Sequence, residues 1–184
     1  MSLTPTRKIA LGFTAPLFNL LNPKNNKLEK LEDLCSDKAT LIVFMCNHCP
    51  FVVHILPELV NIANDYINKG ISFIAINSND IISYPQDSPE NMNKLVKEYS
   101  IPFPYLFDES QEIARAYSAE CTPDFNIFDG NMRCVYRGQI DFSRPGNSKE
   151  KNGHDIRKAL DQIISGESVS TNQIPSIGCN IKWK

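Results

Sequence analysis

Two nearly unbroken apolar runs dominate the chain, Leu41-Ile42-Val43-Phe44-Met45 and Ile71-Ser72-Phe73-Ile74-Ala75-Ile76-Asn77. Runs of this length read as strands buried on both faces. Between them, Phe51 to Lys69 reads as a helix that stops at Gly70. Two such strands joined by one helix form a right-handed unit and lie parallel in one sheet. Ser88-Pro89-Glu90 opens a further helix reaching Tyr99, with Ser88 as its cap, Pro89 at the first helical position and Leu95-Val96 on its inner face. Phe103 to Phe107 reads as extended, and Glu109 to Ala119 as helical with Ile113, Ala116 and Tyr117 on one side. Cys121 to Phe128 is a strand whose early proline, Pro123, falls outside the ladder, and a cis bond is one way to hold such a bend. Asp129-Gly130 turns the chain into an antiparallel return strand, Arg133 to Gly138. The expected sheet is therefore mixed.

The two ends carry weaker patterns. Gly12 to Leu20 reads as an extended segment or hairpin packing its Phe and Leu side chains on the core, Asn22 to Asn26 as a turn, and Leu28, Leu31 and Leu34 as one short helical turn. Asn79 to Asp87 reads as an ordinary polar connection, although Tyr84-Pro85-Gln86-Asp87 falls where it could border a site. Asp141 to Gly153 is a long polar loop, a kind that is often functional or mobile. His154 to Ser165 reads as a closing helix with Ile156, Leu160 and Ile163-Ile164 inward. The tail from Gln173 keeps an apolar pattern and the sole tryptophan, Trp183, so it is expected to dock on the body. The whole is expected to be one domain: an N-terminal extension over 10–38, a core over 39–140, a loop and closing helix over 141–166, and a tail over 167–184.

Candidate chemistry gathers at Cys46-Asn47-His48-Cys49-Pro50, which follows the first buried strand and opens the long helix. The first turn of a helix has unpartnered N–H groups and the positive end of the macrodipole, so a thiol there loses its proton more easily. Cys46 is the expected nucleophile and Cys49 the resolving thiol that attacks a mixed disulfide on Cys46. Pro50 suits an early helical position, and His48 is placed to stabilise the thiolate. Sheets of this kind collect ligand chemistry beyond the carboxyl ends of their strands, where Cys46 lies. A Cys-x-x-Cys between a strand and a helix points to redox chemistry, and no second Cys-x-x-Cys or His-x-x-x-His completes a closed zinc site.

Composition sets the bounds. The 184 residues are 42% hydrophobic, enough to build a core without staples. Nineteen basic against 21 acidic residues leave a net charge of -2 with no basic tail, which argues against a nucleic-acid partner. Six cysteines, at 35, 46, 49, 121, 134 and 179, include one closely spaced pair, unlike a disulfide-dense secreted scaffold. Arg7-Lys8 followed by Ile9 to Phe13 superficially resembles a signal peptide, but Pro16 and the early Asn19, Asn22 and Lys24 read as mature structure, so the expected location is cytoplasmic. No apolar run approaches membrane-spanning length. Cys35 and Cys134 read as small core hydrophobes and His154 as a surface residue.

The order of strand, Cys-x-x-Cys-Pro helix, strand, helix, Thr122-Pro123 and hairpin resembles a thioredoxin fold, an α/β architecture with a central mixed sheet flanked by helices. Gly12-x-x-Ala15-Pro16-x-Phe18-x-Leu20 and the segment Phe103 to Tyr117 resemble the redoxin branch, the alkyl hydroperoxide reductase/thiol-specific antioxidant superfamily with its thiol-disulfide oxidoreductases. Cys-Asn-His-Cys-Pro and the Gly-Cys near the C-terminus resemble a group of bacterial redoxin-like proteins. The resemblance implies a thiol-disulfide oxidoreductase working through Cys46, Cys49 and His48, with Pro123 as the cis-proline facing the pair and Thr122 offering backbone groups to a substrate strand. Asn47, Pro50, Thr122 and Pro123 are the expected substrate contacts, and Cys179 and Cys121 the candidate third redox cysteines. Partners would be a disulfide or dithiol substrate and a thiol reducing system of thioredoxin or glutathione type, with homodimerisation open, no membrane partner and no cofactor required.

Departures from the family patterns are informative. Peroxiredoxins carry Pro-x-x-x-Thr-x-x-Cys, but Ala39 and Val43 occupy those positions, which argues against a peroxidase; a peroxide-consuming enzyme without that threonine is one alternative. Thioredoxins place a Trp before the first cysteine and a buried acid on the preceding strand, but Met45 stands before Cys46 and Ala39 to Met45 holds no acid. Proton transfer must then use another group or water. A different alternative is a copper or zinc module using Cys46, Cys49, His48 and His54, with or without Cys179.

Overall fold

A computed structural model describes residues 3–184. Its main sheet is built around the two apolar runs. Strand β4 (Ala39–Phe44) and strand β5 (Ile71–Asn77) pair in parallel, joined by helix α2 (Pro50–Ile67). Every residue of β4 is buried, because Leu41 and Val43 enter one apolar cluster while Ile42 and Phe44 enter another on the opposite face. That two-sided burial is why the run shows no polar alternation. The first cluster lies under α2, α3 (Pro89–Glu98) and α5 (His154–Ile164); the second takes Leu31 of α1 (Leu31–Leu34), Ala114 of α4 (Glu112–Ala116) and residues of the N-terminal segment such as Phe18.

Seven strands complete this sheet in the order β3-β2-β6-β5-β4-β8-β9, with β2 (Asn19–Asn22), β3 (Lys27–Lys30), β6 (Tyr105–Phe107), β8 (Asp124–Asp129) and β9 (Cys134–Gly138). It is mixed, as expected: β4–β5 and β5–β6 are parallel, and the other pairs are antiparallel.

Several expectations shift. Leu28 lies on β3 with its side chain exposed, so the Leu28-Leu31-Leu34 spacing spans a strand and a helix rather than one helical turn. The helix expected over 109–119 is only α4, which begins after Gln111 in a left-handed conformation (φ 65°) and stops before a second such residue, Ser118. The strand expected over 121–128 is divided at Pro123, whose bond to Thr122 is cis. Its upstream part, β7 (Cys121–Thr122), leaves the main sheet.

The smaller sheet positions the site. It runs β1-β10-β7, with β1 (Leu3–Pro5) and β10 (Ile177–Asn180), all antiparallel. The tail therefore docks, paired on one edge with the start of the chain and on the other with Thr122. Beyond β10, Ile181 donates its N–H to Glu120 O, Lys182 to Asn79 Oδ1 and Lys184 to Gln111 Oε1, while Trp183 lies under the guanidinium of Arg115.

Candidate active site

Sheet register brings the cysteines to Pro123. In the antiparallel β4–β8 pair, Val43 faces Phe125 and Phe44 faces Asp124, so continuing both chains carries Cys46 to Thr122. Cys46 Sγ lies 3.5 Å from Thr122 Oγ1. Cys49 caps α2, and its sulfur lies 3.2 Å from Thr122 O and 2.9 Å from Cys179 Sγ. Pro50 occupies the first helical position, where its missing N–H leaves nothing unpaired.

The structure places the charge differently from the sequence expectation. The helix starts at Pro50, so the N-terminal amides gather about Cys49 rather than Cys46. Cys49 is lowered to about 5, chiefly by a hydrogen bond from Cys46; burial opposes this, and donors from Cys179, Thr122 and the Val52 N–H support it. Cys46 is raised well above an ordinary thiol because it donates to Cys49, is buried and feels the charge of Asp87. The two thiols are thus shifted in opposite directions, Cys49 toward the thiolate and Cys46 toward the thiol. Cys179 is raised to about 12, by burial first and then by donating to Cys49.

Asp87 is the acid that β4 lacks. It is wholly buried at the end of a short 3-10 turn, Pro85–Asp87. Its Oδ1 accepts the N–H of Asn47 (2.8 Å) and of His48 (3.3 Å), and its Oδ2 meets His48 Nδ1 (2.7 Å) and accepts from Asn79 Nδ2 (2.8 Å). Tyr84 stacks on the His48 ring at 5.6 Å between centroids. The 79–87 connection is therefore part of the site and not an ordinary loop. Sequence reasoning missed this because the acid arrives from a turn almost forty residues downstream; the run Tyr84-Pro85-Gln86-Asp87 was the only signal.

The other expected residues divide. Asn47 is engaged by the protein: its amide donates to Gln86 O and accepts from Tyr105 Oη, so it frames the motif rather than facing a substrate. Thr122 offers its backbone to a strand, but β10 already fills that place, with Cys179 opposite Thr122. Cys121 points away from the pair, its sulfur 3.8 Å from Thr6 Oγ1 and 3.7 Å from Pro123 O. Of the two candidate third cysteines, the fold brings Cys179 to the pair. Cys134 is buried as expected, whereas Cys35 is only half-buried. His54 lines a narrow groove with Phe51, Pro123, Ser143 and Ile177, and burial is the main cause lowering its basicity.

Among the described residues, one group of three possible metal-ligand side chains forms: Cys46, His48 and Asp87, whose ligand atoms lie within 4.8 Å of one another. His54 is not in it, and Asp87 already takes four N–H contacts, so the group is built as a hydrogen-bonded cluster.

A family model described as the AhpC/TSA family matches residues 11–137. The chain belongs to the AhpC/TSA family. The matched stretch runs from the N-terminal segment through the cysteine motif to β9. A crystal structure of an uncharacterized conserved protein from Geobacillus kaustophilus is similar at 55% identity and TM-score 0.98, covering 100% of this chain and 97% of that one. A hypothetical protein from Sinorhizobium meliloti is similar at 45% identity and TM-score 0.96, covering 98% of each chain. The thioredoxin domain of a thiol-disulfide oxidoreductase from Bacteroides vulgatus, at 15% identity and TM-score 0.64 over 83% of this chain and 99% of that one, shares the fold. No curated protein matches the chain. This AhpC/TSA member thus has a thioredoxin-like fold, and no helix among its described residues is long and apolar enough to cross a membrane.

Proposed function

We propose that the protein is a thiol-disulfide oxidoreductase in which Cys46 and Cys49 exchange a disulfide with a protein or small-thiol substrate. The observation that carries the reading is the grouping of both sulfurs against Thr122, next to a cis Pro123, at the start of α2. Membership of a family of redox proteins supports it.

The opposite shifts of the two thiols favour the proton on Cys46 and the charge on Cys49 in the resting pair. Passing that proton to Cys49 creates the Cys46 thiolate, which attacks a substrate disulfide and releases one substrate thiolate. Cys49, giving up the proton, then attacks the mixed disulfide; the Cys46–Cys49 bond forms and the second substrate thiolate leaves. His48 and Asp87, within 4.8 Å of Cys46 Sγ, are the titratable groups positioned to move protons in both steps. A cellular thiol system reduces the pair again. Stabilising a thiolate stabilises the reduced form, which favours an oxidising potential.

The test is turnover of a small disulfide with glutathione, followed with the wild type, Cys46→Ser and Cys49→Ser. Catalysis that vanishes in Cys46→Ser and stalls as a trapped mixed disulfide in Cys49→Ser is expected. Equal rates in all three proteins would sink the reading.

A further inference from the structure

We propose that β10 is a built-in substrate strand, whose Cys179 takes the disulfide from the Cys46–Cys49 pair and holds it as a Cys49–Cys179 bond. The proposal rests on the oxidoreductase reading and extends it to what occupies the site.

Four observations converge on the tail. β10 pairs antiparallel with β7, Cys179 opposite Thr122 and Asn180 opposite Cys121, which is the edge beside the cis bond where an extended chain can add a strand. Cys179 Sγ is 2.9 Å from Cys49 Sγ. Gly178 passes so close to the Thr122-Pro123 peptide that a Cβ on it would lie 1.9 Å from Thr122 O, so no larger residue fits the strand in this place. Exposure of Cys46 is 2%, of Cys49 0% and of Cys179 3%, so the tail shuts the pair away from any outside disulfide.

The same geometry ties the tail to the acid cluster. Asn79 donates its amide N–H to Asp87 Oδ2 and accepts the N–H of Lys182 on its oxygen, so one side chain holds both. β1 on the far edge of β10 and the bond from Thr6 N to Ser176 O complete the strap. A substrate reaches Cys46 when β10 lifts; once the substrate has left as two thiols, β10 returns.

The transfer is a plain exchange. Cys179 attacks the Cys49 sulfur of the Cys46–Cys49 bond; the Cys49–Cys179 bond forms, the Cys46–Cys49 bond breaks, and the proton of Cys179 ends on Cys46. No outside oxidant or reductant takes part, since the substrate disulfide has already accepted the two electrons. Cys46 is left as a thiol, and the parked disulfide is available to a reducing thiol that opens the tail.

The experiment oxidises the full-length reduced protein with oxidised glutathione, quenches in acid, alkylates the free thiols and maps the linked peptides over time. The wild type should show a 46–49 link that gives way to 49–179 with Cys46 alkylated, and Cys179→Ser should stop at 46–49. Gly178→Val should lose the 49–179 link and accumulate 46–49, and before oxidation its reduced form should alkylate at Cys46 roughly tenfold faster than the reduced wild type, as local opening exposes it. A wild type that keeps 46–49 with Cys179 alkylated throughout would overturn the relay and leave the oxidoreductase reading standing. Absence of the 46–49 link in Cys179→Ser would overturn that reading and the relay together. If Gly178→Val keeps the 49–179 link, the strand placement fails; should that variant not fold, Cys179→Ser decides alone.

Discussion

Cys49 owes its acidity first to the hydrogen bond from Cys46, and less to the Val52 N–H that the start of α2 brings to it. A thiol held at about 5 in the folded protein and near its ordinary value in the unfolded chain stabilises the fold above the unfolded value, and the stabilisation is lost as pH falls through about 5. Cys46 is shifted the other way, so its effect lies above the ordinary thiol range and leaves the window between about 5 and about 9 to Cys49. The reduced protein should therefore gain stability from pH 5 upward relative to Cys49→Ser, and its thiolate absorbance should rise through pH 5. A flat thiolate signal from pH 4 to 7 would contradict the assignment. Asp87→Asn removes a buried negative charge close to Cys46. The variant should alkylate at Cys46 with a pH profile moved toward acid, while disulfide turnover falls by about 10²-fold as proton transfer is lost. An unmoved profile would reduce Asp87 to a scaffold for the motif. The motif itself was legible because strand, thiols and helix are contiguous; Asp87 was not, since its role depends on how a distant turn folds back.

At the scale of elements, β4, β5 and α2 were readable from apolar runs because each is buried along its whole length or down one side. Short elements escaped: three-residue β1 and two-residue β7 carry too few positions for any period, and both depend on the tail for pairing. The long polar 141–153 segment reads from its length as functional or mobile, and in the fold Asp141 organises it. Its buried carboxylate accepts from Ser143 N and Oγ, Asn152 N and Gly153 N, which closes the loop onto the start of α5. Asp141→Ala strands three backbone donors and should cost roughly 2–4 kcal/mol in denaturant unfolding. Asp141→Asn, which retains an acceptor, should lose less. Equal stability for Asp141→Ala and the wild type would mean that the loop opens to water at no cost.

Across the whole molecule, one buried side chain ties the main sheet to the N-terminal segment and to the turn after α4. Arg137 on β9 donates to Arg7 O in the N-terminal segment, to Tyr117 O and Ser118 O after α4, to Asn126 on β8, and lies 3.4 Å from Asp124 Oδ2, next to Pro123. Nothing in the local pattern around Arg137 marks it, because its partners come from three separate stretches. Asp124 is pushed up to about 6 by burial, with Arg137 pulling the other way. A carboxyl raised in the folded state favours folding at low pH and loses that benefit as pH climbs through its folded value. Removing the guanidinium raises Asp124 further and extends the loss to higher pH. Arg137→Met should therefore destabilise by about 3–5 kcal/mol at pH 8, where a buried carboxylate is left unpaired. Near pH 4.5 Asp124 is mostly protonated in the folded protein, and the deficit should shrink to that of the guanidinium's lost hydrogen bonds to neutral oxygens. Chemical unfolding at the two pH values measures both. A deficit independent of pH would show that the guanidinium acts only through the carbonyls of Arg7, Tyr117 and Ser118, and that Asp124 stands apart from what holds the cis-proline corner.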